Sequence, residues 1–233
     1  MTEMPRFNRG PYSLLRLVAA LAILAAGAPH VGTAELLPVS DAEGLLADIQ
    51  ARATTIDTLA ATFRQHRFSR LLREPLVSEG LIYFQRNGKT LIQIDTPEPS
   101  QILIQGQSVT IVNPAMALVR KTRLSGSDRM LQAWLAGGAE LDNLKQQYDL
   151  RLAQSSKGDR YTLQMTPKDS QMARHIASVE IQVHRNVLLP EQIVITTPKG
   201  DRTTMQMRVV SLNEPLPAGI FDIVVPEVFQ NDR

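Results

Sequence analysis

Few residues in this chain are placed for bond-making chemistry. The four histidines are His30, His66, His175 and His184. None forms a His-x-x-x-His pair, and the chain has no cysteine, so neither an imidazole nor a thiolate metal site has a local signature. No G-x-S-x-G elbow, phosphate-cradling glycine loop or G-x-G-x-x-G fingerprint occurs. The carboxylates are scattered. Asp41 and Glu43, the one close acidic pair ahead of an apolar stripe, read as a helix N-terminus rather than an acid/base couple. These absences argue against an enzyme, a metal site and a bound cofactor. A hydrolase would need a nucleophile and base assembled only by folding. The cationic residue that stands out is Arg86, at the rim of a turn in GLIYFQRNGKTLIQI, residues 80–94.

That segment alternates apolar and polar residues, turns at Asn87-Gly88 and alternates again, the pattern of a β-hairpin with one face on a core. The same period continues through most of the chain. Strands are expected at 58–68, 75–86, 89–96, 101–105, 108–113, 117–123, 147–154, 160–166, 176–185, 191–198 and 202–211, with Gly200-Asp201 as a second tight-turn signal. Before them, Ser40 and Glu43 have capping-box spacing, and Leu45, Leu46, Ile49, Ala53 and Ile56 recur at helical spacing. Midway, Ser127 or Asp128 could cap a short helix carrying Met130, Leu131, Trp134 and Leu135, ended by Gly137-Gly138, with a second short helix at 140–146. Many short strands and few crossover helices exclude a doubly wound α/β fold.

Charge locates the chain rather than its ligand. The formal charge is +2, with 25 basic and 23 acidic residues. Three of the basic residues (Arg6, Arg9, Arg16) and one acidic residue (Glu3) lie in 1–34, so the remainder carries 22 of each. No nucleic-acid surface is indicated. Residues 1–34 read as a secretory signal, with a basic start, the uncharged run 17–28 and small residues at Gly32 and Ala34. The run is shorter than the roughly 20 residues that span a bilayer, so cleavage after Ala34 is expected rather than an anchor. One domain over 35–233 follows, placed in the periplasm of a two-membraned cell.

The order of these features resembles the periplasmic lipoprotein carrier (LolA) family. The resemblance is carried by the N-terminal amphipathic helix, LAATFRQ (59–65), the stretch from Glu79 to Pro114, YTLQMTPK (161–168) and FDIVVP (221–226). Gly80, Arg86, Pro97, Gly106 and Pro114 fall where that family places its glycines, arginine and prolines. Departures are Asn87 where the family has proline, Thr90 and Ile92 where aromatics are common, and Phe221-Asp222-Ile223 in place of Phe-x-Phe. The chain is thus identified as a divergent member.

The resemblance implies a mainly β (α+β) fold: an unclosed antiparallel half-barrel, with the N-terminal helix and the inserted helices as a lid over a hydrophobic cavity. It implies a carrier of the acyl chains of lipoproteins, and the departures point to a member dedicated to another acylated or polyene-like lipid in a specialised export pathway. The cargo is loaded by an ATP-driven inner-membrane exporter and passed to an outer-membrane acceptor, and the carrier is expected to be a monomer. Cavity walls would be Phe84, Ile92, Ile94, Ile102, Ile104, Val109 and Ile111. The lid would present Leu45, Leu46 and Ile49 from the first helix and Met130, Leu131, Trp134 and Leu135 from the insert. Arg86 would latch the lid by bonding carbonyls at a lid-helix C-terminus. Read from the residues alone, each stripe is equally an ordinary core, Trp134 a packing anchor and Arg86 a solvated edge residue. A sensor of the cell envelope that binds a protein partner is the rival use of the same architecture.

Overall fold

The computed structural model describes residues 36–38, 42–86, 88–123, 141–155 and 158–223. The secretory-signal segment, the capping residue Ser40, Asn87 and the insert carrying Met130, Leu131, Trp134 and Leu135 lie outside the described residues.

All described strands join one antiparallel sheet of twelve: β1 (Leu36–Pro38), β2 (Thr58–Phe68), β3 (Leu76–Gln85), β4 (Lys89–Thr96), β5 (Ser100–Gln105), β6 (Ser108–Asn113), β7 (Leu118–Arg123), β8 (Tyr148–Ser155), β9 (Arg160–Pro167), β10 (Ser178–His184), β11 (Pro190–Thr196) and β12 (Arg202–Leu212). The helices are α1 (Ala42–Ala53), α2 (Leu141–Gln147) and the single turn α3 (Ser170–Ala173). Spatial order is β1-β8-β9-β10-β11-β12-β2-β3-β4-β5-β6-β7. Among the described residues β7 and β1 do not pair, so the sheet is an unclosed half-barrel. Each expected strand forms within two residues of its expected bounds. The three-residue β1 and the turn α3 were not expected, since so short a run has no period to detect.

Two turns differ from the expected two-residue hairpins. β3 ends at Gln85 and β4 begins at Lys89, so the strands are three residues apart rather than two, with Gly88 at φ 86° supplying a left-handed step. The Arg86 amide donates to Asp57 O at 2.8 Å, continuing the β2–β3 pairing one residue past Thr58 and Gln85. The Gly200-Asp201 turn is a five-residue loop, 197–201, closed by Thr197 N to Asp201 O at 2.9 Å.

The inner face holds two hydrophobic clusters side by side. On the β8–β11 half, Leu46 and Ile49 of α1 and Leu144 of α2 pack on Tyr148, Leu163, Met165, Ile181 and Ile193. On the β2–β6 half, Phe63, Ile82, Ile92, Ile102, Ile104, Val109 and Ile111 form a second cluster. Met207 of β12, the strand between the halves, packs against both. The outer face is also covered in one place. Leu216, Ile220, Phe221 and Ile223, after β12, pack against Tyr83, Leu91 and Leu103. This is why 101–105 shows no alternation: Ile102 and Ile104 face inward and Leu103 faces the C-terminal segment, so both sides of β5 are buried.

Candidate functional site

Residues 54–57 join α1 to β2, and three side chains converge on them: Arg86, Asn213 and Arg52, whose Nη1 donates to Thr55 Oγ1 at 3.0 Å. Arg86 reaches back from the β3–β4 turn. Its Nε donates to Asp57 Oδ1 at 2.7 Å, and its Nη2 donates to the carbonyl of Thr54, directly after α1. A guanidinium there meets the unsatisfied carbonyls and the negative end of the helix dipole. From the other side, Arg52 Nε donates to Val187 O in the β10–β11 loop at 3.3 Å. Asn213, just past β12, closes the joint from below. Its Oδ1 accepts from Asp57 N at 2.7 Å and its Nδ2 donates to Thr55 O at 2.8 Å. Asn213 itself sits at φ 58°, a left-handed conformation that asparagine tolerates better than most residues.

These bonds are wet. The Arg86 side chain is 41% exposed and Asp57 is 74% exposed. Exposed ion pairs contribute roughly 0.2–1 kcal/mol. The clamp therefore holds the joint without making it costly to open.

Beneath the joint is a narrow apolar cleft of about 60 Å³, lined by Ile49, Ile56, Leu59, Ile82, Leu189 and Met207 among others. Small-molecule sites generally occupy roughly 300–1,000 Å³, so the cleft as it stands is too small for a bulky apolar ligand. Ile49 forms its helix side. Ile82 and Met207 belong to both the cleft and the β2–β6 cluster, so the cleft leads onto that surface.

Of the expected wall residues, Ile92, Ile102, Ile104, Val109 and Ile111 meet in one cluster, with Ile94 packed at its side. Phe84 lies apart, with Ile56 and Leu189 beneath the joint. Of the expected lid residues, Leu46 and Ile49 are buried and Leu45 is partly buried, but they pack in the β8–β11 cluster rather than on the wall cluster. Met130, Leu131, Trp134 and Leu135 lie outside the described residues. Sequence reasoning missed Asp57 and Asn213. Asn213 offered one faint signal, an asparagine at a strand end before a proline-rich tail, where a positive φ is common.

The wall is not wholly aliphatic. Thr90 Oγ1, Ser100 Oγ and Asn113 Nδ2 are buried and have no hydrogen-bond partner among the described residues. Ser78, also buried, faces the same side as Gly80 and Ile82. At Gly80 a Cβ would lie 1.9 Å from Gln93 O, because the β3–β4 register shifts between Glu79 and Gly80 and draws the backbones together. No cluster of three or more metal-ligating residues occurs among the described residues. No described helix is long and apolar enough to cross a membrane.

Several solved structures are similar in fold. An uncharacterized conserved protein from Thermus thermophilus aligns at 14% identity and TM-score 0.49, covering 78% of this chain and 95% of that one. A DUF1329 family protein from Desulfovibrio piger aligns at 16% identity and TM-score 0.45, covering 79% and 97%. MucB, solved from Pseudomonas aeruginosa in complex with MucA, aligns at 18% identity and TM-score 0.42, covering 74% of this chain and 58% of that one. The chain thus spans less than two thirds of MucB. No curated protein matches the chain. The family model described as outer membrane lipoprotein carrier protein LolA matches residues 54–224, from the α1–β2 joint through the C-terminal segment on the outer face, and the chain belongs to that family.

Proposed function

We propose that this protein is a non-catalytic periplasmic carrier. It would take the acyl chains of a lipoprotein, or of another lipid, onto the β2–β6 inner face and move them from the inner to the outer membrane. An ATP-driven exporter would load it and an outer-membrane acceptor would unload it. The observation that carries the reading is the β2–β6 cluster: a broad, buried aliphatic face built from strands, sharing Ile82 and Met207 with the cleft beside α1. Membership of the LolA family supports it.

The energetics suit such a task. Burying an acyl chain gains about 0.8 kcal/mol per methylene, on the order of 12 kcal/mol for a tail of about 15. That far exceeds the contribution of one exposed ion pair at the joint. Arg86 would then act as a latch that cargo readily displaces, with Ile49 riding on the moving helix. The secretory reading of residues 1–34 and the absence of a local catalytic signature fit a carrier.

Native mass spectrometry of protein purified from its own envelope tests the proposal. One acylated molecule per chain is expected. No lipid uptake under any membrane-mimetic condition would refute it. Recovery of a regulatory protein with no lipid would instead favour a protein-binding module.

A further inference from the structure

The strand ends opposite the α1–β2 joint carry a feature the carrier reading does not use. β2 runs out into the loop 69–75, FSRLLREP being residues 68–75. Leu71 at the tip of this loop is 94% exposed, and Phe68 at its base is 46% exposed. Leu71 is the most exposed large apolar side chain among the described residues, and what marks this one is its charged surroundings. Leu71 and Phe68 are ringed by cations. Arg70 and Arg73 are exposed in the same loop, and Lys199 and Arg202 are exposed in the adjoining 197–202 segment. The two segments are tied together. Arg202 pairs with Phe68 across the β12–β2 ladder, Arg70 N donates to Asp201 Oδ1 at 3.3 Å, and the Arg70 guanidinium lies against Gly200. Arg67, one residue inside β2, adds a fifth cation; burial lowers its pKa and Asp201 opposes that shift.

The acids at this end are Glu74 and Asp201, so five cations face two anions. Glu98, in the β4–β5 turn, is set back, because β3 pairs with β2 from Leu76 but with β4 only from Glu79. Residues 35–233 are neutral in sum, so this excess is local.

We propose that the 68–73 and 199–202 tip docks on the surface of a bilayer containing anionic phospholipids, with Leu71 and Phe68 entering the interface and the cations meeting headgroup phosphates. Charge sign and exposure favour a membrane over a protein groove: Leu71 is almost fully exposed, and Arg70, Arg73, Lys199 and Arg202 are exposed in the same two segments. A basic patch with one or two apolar side chains gives weak, reversible attachment. The interaction does not depend on lipid uptake into the cleft, and α1 is clamped at the opposite end of the strands. A docked molecule would therefore keep its joint away from the bilayer.

Co-sedimentation with vesicles tests this. The protein should pellet with equimolar phosphatidylglycerol and phosphatidylcholine, stay in solution with phosphatidylcholine alone, and be released by high salt. Arg73→Ser and Lys199→Ser should each weaken binding about five-fold, and Leu71→Ser should weaken it at unchanged salt sensitivity. Residues 1–34 are common to parent and variants and cannot produce these differences. Circular dichroism and melting temperature should be unchanged, since these side chains are exposed. Equal binding to both vesicle types, no binding to either, or unaltered binding by all three folded variants would overturn the proposal. Lipid uptake, measured separately by mass spectrometry, should survive in all three.

Discussion

The two halves of the inner face are built from different materials. The β8–β11 half is a conventional core: helix side chains from α1 and α2 interlock with strand residues, and aromatic and sulfur groups fill the gaps. Tyr148 is its centre, 1% exposed, with its hydroxyl donating to Met172 Sδ. The helices are pinned there by Lys145 Nζ to Glu43 Oε1 at 3.0 Å and by Lys168 Nζ to Lys145 O at 2.7 Å. The β2–β6 half contains no described helix residue, no tyrosine and no charge; its buried members are isoleucines with one valine and one phenylalanine. Branched aliphatics on a pleated sheet keep a rigid, featureless surface, whatever lies against it. The contrast teaches where stability and function separate. One half is fastened by directional contacts, and the other offers only area.

Matched truncations give the largest effects. Ile104 and Ile181 are each 1% exposed, one in each half. Replacement of either by alanine should cost about 2–5 kcal/mol in denaturant unfolding. Only Ile104→Ala should reduce lipid uptake per folded molecule. Equal losses of uptake would erase the distinction between the halves.

Alkaline titration comes next. Burial pushes the Tyr148 hydroxyl up to about 12 from 10.0. The unfolded chain ionises first, so this contribution is complete below pH 10 and is lost as pH rises toward 12. Stability should fall by roughly 1.4 kcal/mol per pH unit in that window. Tyr148→Phe should flatten that part of the profile while leaving uptake intact. A profile identical to the parent's would mean that the hydroxyl is not isolated from water.

Loosening the joint should have smaller effects. Asn213→Gly keeps the left-handed backbone and deletes the fork to Asp57 N and Thr55 O, so it isolates the side chain. A loss of about 1 kcal/mol is expected, with faster hydrogen exchange in α1 and no change in β4–β6. Arg86→Leu should lower stability by at most about 1 kcal/mol, given its exposure, and should alter the rate of lipid release. Unchanged α1 exchange in both variants would show that the clamp is not what holds the helix. The smallest change is Thr90→Val, which replaces a buried hydroxyl without a partner among the described residues by a methyl and should be neutral or slightly stabilising. A drop in lipid affinity in that variant would reveal a polar contact to cargo.

The strands were legible because their inner residues repeat at a period of two, as in Leu76, Ser78, Gly80, Ile82 and Phe84 of β3. The helix α1 was legible from its stripe. Legibility failed where distant segments decide the outcome. Nothing in QILIQ (101–105) announces that Leu103 will be covered by Phe221, more than a hundred residues later. The position of Arg86 at a turn was visible, but its acceptor, Thr54 O, lies 32 residues upstream. The lid helix was expected over the isoleucine wall and instead packs on the neighbouring half, because both faces are apolar and only three-dimensional placement chooses between them. Asn213 and the Leu71 tip escaped for a related reason: a single residue carries no periodicity, and its meaning comes from what surrounds it.

The order of the strands has a consequence for how the molecule is made. β12 is the last of the described strands to be synthesised, yet it lies between β11 and β2 near the middle of the sheet. Until residues 202–212 emerge, β2–β7 and β8–β11 are two separate ribbons, with β2 and β11 exposing bare edges that invite mispairing. Adding one strand zips both edges at once and brings Asn213 to the α1–β2 joint. The continuous inner face thus comes into existence in a single late event, and a nascent chain halted before Arg202 would leave the β2–β6 cluster without Met207 and unjoined to the β8–β11 half.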